Sequence, residues 1–184
     1  MSTVTSTSAG LVLISSWSCY GNTINAGVFN CPTALITGID VYLLRNSASL
    51  NKIGFSLRRI TNVLPYAEPT GQNLTSATVG SVAATAWTTV FGWRTVDFDA
   101  AVSVPMGAYA VVVTNTVGDA TADLIVGAGF VSGSNGVRLT YANIAKSVNN
   151  GVGWTGISDV VMGLKIYGQF LWTGRVGHSG SWGF

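Results

Sequence analysis

Charged side chains are scarce in this sequence: nine Lys and Arg and seven Asp and Glu among 184 residues, 9 % of the chain, against about 25 % in ordinary soluble domains. So few charges cannot cover the outside, and Ser, Thr, Asn and Gly must do it instead. Weak like-charge repulsion also leaves little to oppose association, so a homo-oligomer or a place in a larger assembly is expected. The basic residues stand singly from Arg45 to Arg175, with Arg58-Arg59 the one adjacent pair. No stripe exists to neutralise a phosphate backbone, and nucleic acid is not an expected partner.

Histidine and cysteine are nearly missing. The single histidine, His178, lies in a Gly-Ser stretch with no scaffold to hold it, so neither a Ser-His-Asp triad nor a Cys/His zinc site is expected. Cys19 and Cys31 stand twelve apart, and two readings are open: a disulfide closing a short loop, or two buried thiols acting as small apolar side chains. Long apolar runs are absent too. Nothing approaches the roughly 18 residues of a membrane helix, so no membrane partner is expected. Met1 to Gly10 lacks the basic flank of a secretory signal, so synthesis in a cytoplasm, or processing before this form, is expected.

Catalytic constellations are equally thin. Asp97 and Asp99 are two apart at a predicted strand end, only about 7 Å along the backbone, and read as solvated residues rather than a glycosidase pair. Asp119 and Asp123 flank Ala120-Thr121-Ala122, short of the ligand density of a calcium loop. The expectation is a non-enzyme with no metal and no cofactor. Asn73-Leu74-Thr75 matches a glycosylation sequon, a pattern short enough to occur by chance.

What the chain does contain is strand pattern. No window joins helix formers to a 3.6-residue period, and glycine occurs 23 times. Leu35 to Leu44 (LITGIDVYLL) alternates, which predicts Leu35, Ile39, Val41 and Leu43 on one face against Asp40 and Tyr42. Lys52 to Arg58 (KIGFSLR) repeats this with Ile53, Phe55 and Leu57 inward, and 46–51 predicts a hairpin joining the two. Pro65, Pro69 and Gly71 mark a loop that ends the pairing, with a new sheet region after it. Trp87 to Phe98 (WTTVFGWRTVDF) predicts a strand with Trp87 and Trp93 on one face and a bulge at Gly92. Pro105-Met106-Gly107 turns into Tyr109 to Thr114, where Tyr109, Val111 and Val113 share a face. Further strands are predicted at Asp123 to Phe130, Gly136 to Ala142 and Val160 to Tyr167. The fold class is all-β: one jelly-roll-like sandwich of about eight to ten antiparallel strands, with an N-terminal arm over 1–14, the sandwich over 15–168 and a glycine- and aromatic-rich arm over 169–184.

The succession of GVFN around Phe29, LITGIDVYLL, KIGFSLR, WTTVFGWRTVDF, VPMGAYAVVVT and the closing Trp154 and VVMGLKIYG resembles a family of small jelly-roll domains in phage virion proteins and in non-catalytic parts of secreted bacterial proteins. The resemblance implies a virion structural subunit that decorates or cements a capsid or tail, with other virion proteins as partners and the virion as its location. Phe170, Trp172, Trp182 and Phe184 are the expected partner contacts, since large aromatics among glycines lose roughly 1.5–3 kcal/mol each if left in water. The alternative is an extracellular carbohydrate-binding module or adhesin. Of the six tryptophans, Trp17 and Trp154 lie near loops and are the expected glycan contacts.

Overall fold

The computed structural model describes residues 6–7, 11–46, 53–60, 68–69, 71–79, 87, 89–115, 124–131, 143–157 and 160–170. These form thirteen strands: β1 Ser6–Thr7, β2 Leu11–Cys19, β3 Ile24–Cys31, β4 Ala34–Arg45, β5 Ile53–Arg59, β6 Asn73–Val79, β7 Gly92–Val104, β8 Gly107–Asn115, β9 Leu124–Val131, β10 Asn143–Ser147, β11 Thr155–Ile157, β12 Val161–Met162 and β13 Leu164–Phe170. They build two antiparallel sheets. One has the order β11-β10-β3-β8-β5-β6; in the other β4 is the hub, flanked by β7, β13 and β9, with β1 on β13 and with β2 and β12 on β9. The protein is an all-β sandwich, as its alternation and turn residues predict.

The count exceeds the expected eight to ten because short strands complete longer ones. β12 and β13 are a single path that changes partner at Gly163, whose N–H bonds Gly127 O at 3.0 Å and whose carbonyl accepts from Tyr42 N at 2.9 Å. Both strand neighbours are thereby satisfied without a gap in the sheet.

The main core lies between the sheets. Ile39, Val41 and Leu43 of β4, Phe55 and Leu57 of β5, Tyr109, Val111 and Val113 of β8, and Leu124 and Val126 of β9 form one buried cluster. Residues of the opposite parity, Ile24, Ala26 and Val28 of β3 with Ala110 and Val112 of β8, form a second buried cluster. They come from the six-stranded sheet alone, so its central strands are covered on both faces. Such strands read as continuous apolar runs rather than as alternation. The run YAVVVT has that character.

Several expectations are corrected. β4 and β5 are not a hairpin: β4 pairs with β7, β9 and β13, whereas β5 pairs with β6 and β8 in the opposite sheet. The stretch holding Pro65 and Pro69 does not end the pairing either, because β6 returns antiparallel onto β5. Leu35 does not share a face with Ile39. Between Ile36 and Gly38 the ladder to β7 shifts register, so Ala34 and Ile36 point inward before the shift and Ile39, Val41 and Leu43 after it. An odd insertion reverses the parity of everything beyond it. Gly92 is not a bulge; it opens β7 opposite Leu43, and the irregularity falls between Asp97 and Val102. There β7 leaves β4 and meets β6 of the other sheet, where Thr75 Oγ1 donates to Ala100 O at 2.8 Å.

Cys19 and Cys31 are free thiols, not a disulfide. Asn25 Nδ2 lies 3.0 Å from Cys19 Sγ, while Cys31 is six residues farther along β3. At about 3.3 Å per residue that separation is roughly 20 Å, far beyond the 7 Å or so that a disulfide spans between Cα atoms. Burial pushes the Cys31 thiol up to about 11. Strands also run where the arms were drawn: Ser6 and Thr7 pair with Ile166 and Lys165, and β2 begins at Leu11. The strand predicted over Gly136 to Ala142 lies outside the described residues.

Candidate functional site: a two-tryptophan cleft at the sandwich edge

β2 lies at one edge of its sheet, and β11, carried by β10, at one edge of the other. Edge strands leave backbone groups without ladder partners. Along β2 buried asparagines supply them: Asn25 Nδ2 donates to Trp17 O at 3.3 Å and Ser18 O at 2.9 Å, and Asn115 Nδ2 to Cys19 O at 3.2 Å. These bonds fix the backbone at Trp17. Beyond Cys19 the chain reverses through Gly21 (φ 51) and Asn22, closed by Tyr20 N to Thr23 O at 3.1 Å and Thr23 N to Tyr20 O at 2.8 Å.

That turn meets the loop after β10. Asn150 N donates to Asn22 O at 2.9 Å, and the loop is held from within by Ser147. Its hydroxyl donates to Asn149 Oδ1 at 2.7 Å and accepts from Gly151 N at 2.9 Å, while Gly153 N donates to Asn149 Oδ1 at 2.9 Å. Asn150 and Gly151 take left-handed φ of 57° and 86°, a conformation that asparagine and glycine tolerate best. The run Ser147 to Gly151 therefore dictates the loop. Its purpose in the fold is positional: it delivers Trp154, which packs half-buried against the second apolar cluster.

The result is a cleft of about 480 Å³ lined by Trp17, Lys146, Val148, Asn149, Gly153, Trp154 and Thr155. Ligand sites for small molecules occupy about 300–1,000 Å³, so one or two sugar rings fit. Lys146 and Thr155 are register partners across β10 and β11. The Lys146 ammonium stands 5.9 Å from the centre of the Trp17 ring. Val148 at the rim is 68 % exposed.

Trp17 and Trp154, the expected glycan contacts, are brought together although 137 positions separate them in the chain. Lys146, Asn149 and Thr155 were not singled out from the sequence, and the Ser-x-Asn-Asn-Gly turn beside them was the available signal. Of the expected partner contacts, Phe170 ends β13 opposite Ala34, its side chain outside what is described, and Trp172, Trp182 and Phe184 lie outside the described residues. So do His178, Asp119 and Asp123. Asp97 and Asp99 are exposed within β7 rather than at its end, and Asp99 accepts from Ser76 Oγ at 3.4 Å.

Trp87 and Trp93 do not share a face. Trp87 precedes β7 and packs edge-on against Phe55 in the core, ring centres 6.3 Å apart, whereas Trp93 lies against Tyr42 at 5.2 Å on the outward side of β4. Beside it Asp40, only 5 % exposed, accepts from Thr95 Oγ1 at 2.7 Å and Tyr167 OH at 2.5 Å and pairs with Lys165 Nζ at 3.5 Å. Lys165 Nζ stands 4.2 Å over the Trp93 ring. Every charge in this group has a partner, which marks it as a structural network.

No family model matches the chain, and no curated protein is similar to it. Among solved structures, the cysteine protease and lectin-like domains of Cwp84, a surface layer associated protein of Clostridium difficile, align with a TM-score of 0.49 at 16 % identity over 82 % of this chain and 32 % of that one. This chain spans about a third of that one's length. Likeness at that level is too low to speak to ligand or partner.

Proposed function

We propose that this sandwich is a non-catalytic glycan-binding domain whose ligand sits in the Trp17–Trp154 cleft. The observation that carries the reading is the convergence of two tryptophans from distant parts of the chain on one preformed cleft that also presents a lysine, an asparagine amide and a threonine hydroxyl. Sugars offer apolar C–H faces and polar hydroxyl edges, and a site of indole surface ringed by a few hydrogen-bonding groups complements both. Binding rather than turnover is supported by the state of Asp40, the one buried carboxylate among the described residues, whose oxygens are spent on Thr95, Tyr167 and Lys165. An extracellular place of action goes with this reading. The virion reading rests on the strand-pattern resemblance, the sparse charge and the C-terminal aromatics, and no comparison with known proteins supports it.

The test is a glycan array followed by calorimetry on the best ligand. The parent chain is expected to bind, and Trp154→Ala or Trp17→Ala to weaken binding at least tenfold, about 1.4 kcal/mol, with thermal unfolding checked in each variant. Binding that survives both changes, or no binding to any glycan, overturns the proposal.

A further inference from the structure

Resting on that glycan reading, we infer that the cleft selects acidic sugars, seating a carboxylate or sulfate of the ligand on the Lys146 ammonium. Among the described residues Lys146 is the one charged side chain of the lining, and no carboxylate accompanies it there. It is half-buried, and the ion pair found among the described residues belongs elsewhere, to Lys165 and Asp40.

The two lysines form an internal comparison. Each places its ammonium over a tryptophan ring, Lys165 at 4.2 Å from Trp93 and Lys146 at 5.9 Å from Trp17. Lys165 has Asp40 as counter-ion. Lys146 has none among the described residues, although it is drawn in beside an apolar ring where a counter-charge is worth more than in open water. A half-buried cation at the wall of a cleft, facing no anion among the described residues, complements an anion that arrives with the ligand.

The neighbouring groups suit the same ligand. Thr155, opposite Lys146 in the ladder, offers a hydroxyl, and Asn149 spends its carbonyl oxygen on Ser147 and Gly153, so its Nδ2 donors remain for the ligand. An ammonium, a hydroxyl and an amide NH₂ supply mostly donors, which suits the acceptor-rich carboxylate or sulfate of an acidic sugar better than a neutral hydroxymethyl group.

The experiment compares oligosaccharides matched except at one group: a neutral sugar, the corresponding uronic acid and the corresponding sulfate ester, titrated calorimetrically into the full chain at about 50 mM salt. One or both acidic members are expected to bind about tenfold tighter than the neutral one, as a charge-assisted contact implies, and which does so identifies the anion. The advantage should shrink at about 500 mM salt, where screening shortens to a few ångströms. Lys146→Gln should erase the preference for the acidic members, and Lys146→Arg should retain it. Trp154→Ala should weaken all three ligands together. If acidic and neutral members bind alike, or if Lys146→Gln keeps the preference, the inference falls while the glycan reading stands. If none of them binds and the array is also blank, both fall.

Discussion

Asp40 and Tyr167 hold one another on the outward side of the seven-stranded sheet, and the bond has a consequence in alkaline solution. The hydrogen bond to Asp40, then burial and the Asp40 charge, push the Tyr167 hydroxyl up to about 12, above the ordinary value near 10. The folded state therefore keeps a proton that the unfolded chain releases, so this stabilisation is complete below about pH 10 and is lost as pH rises from there through about 12. Tyr109, also raised by burial, contributes in the same direction. Denaturant melts taken across pH 9 to 12 should show a shallower alkaline loss for Tyr167→Phe than for the parent; equal slopes would refute the role given to this bond. The thiols make a second case. With Cys19 and Cys31 at 0 % and 6 % exposure, and the reactive species being the thiolate, a thiol reagent at pH 8 should label neither until the chain unfolds, and mass spectrometry should find no internal disulfide. Phe55, 1 % exposed and edge-on to Trp87, should cost about 3–5 kcal/mol on truncation to Ala, read from denaturant midpoints.

At the level of single strands, register shifts decide which side chains reach the core. β13 shifts between Tyr167 and Gly168, opposite the shift in β4, and the two chains come so close that a Cβ on Gly168 would stand 2.3 Å from Leu35 O. Backbone cannot swing aside as a side chain can. Gly168→Ala should therefore destabilise by about 1–3 kcal/mol, as overpacking does. Gly107, where an added Cβ would meet only Tyr109 ring atoms at 3.7 Å or more, is the control and should tolerate Ala with little change. A melting temperature for Gly168→Ala equal to that for Gly107→Ala would show that the strands can separate there at no cost.

Among the described strands the chain changes sheet at eight of twelve connections, and its described ends meet: β1 near the N-terminus pairs with β13 near the C-terminus. Among the described strands only β5–β6 and β10–β11 pair as sequence neighbours. Loop-closure entropy must be met before such distant contacts stabilise anything, so refolding should take milliseconds to seconds rather than microseconds, measurable by stopped-flow tryptophan fluorescence. Removal of β13 should abolish cooperative unfolding, because β4 and β1 both lose a ladder partner; a truncated chain that still melts in one sharp transition would contradict this.

The amino-acid pattern by itself determined that the chain is all-β and where several strands run, because alternation, β-branched content and turn residues are local properties of the chain. It also placed Phe55, Val111 and Val113 on inward faces, and it singled out Trp17 and Trp154, of which Trp17 lies within β2 rather than in a loop. It did not determine which strands are neighbours. LITGIDVYLL and KIGFSLR look like the arms of a hairpin, yet they lie in opposite sheets, the first paired with β7, β9 and β13 and the second with β6 and β8, because pairing is chosen by burial of both faces rather than by proximity in sequence. The parity of Leu35 and the separate fates of Trp87 and Trp93 were likewise out of reach, since a register shift is visible only in the ladder that contains it. The cleft belongs to the same class. Nothing local relates Lys146 to Trp17; the sandwich edge brings them together, and only there does a lysine with no counter-ion among the described residues acquire meaning.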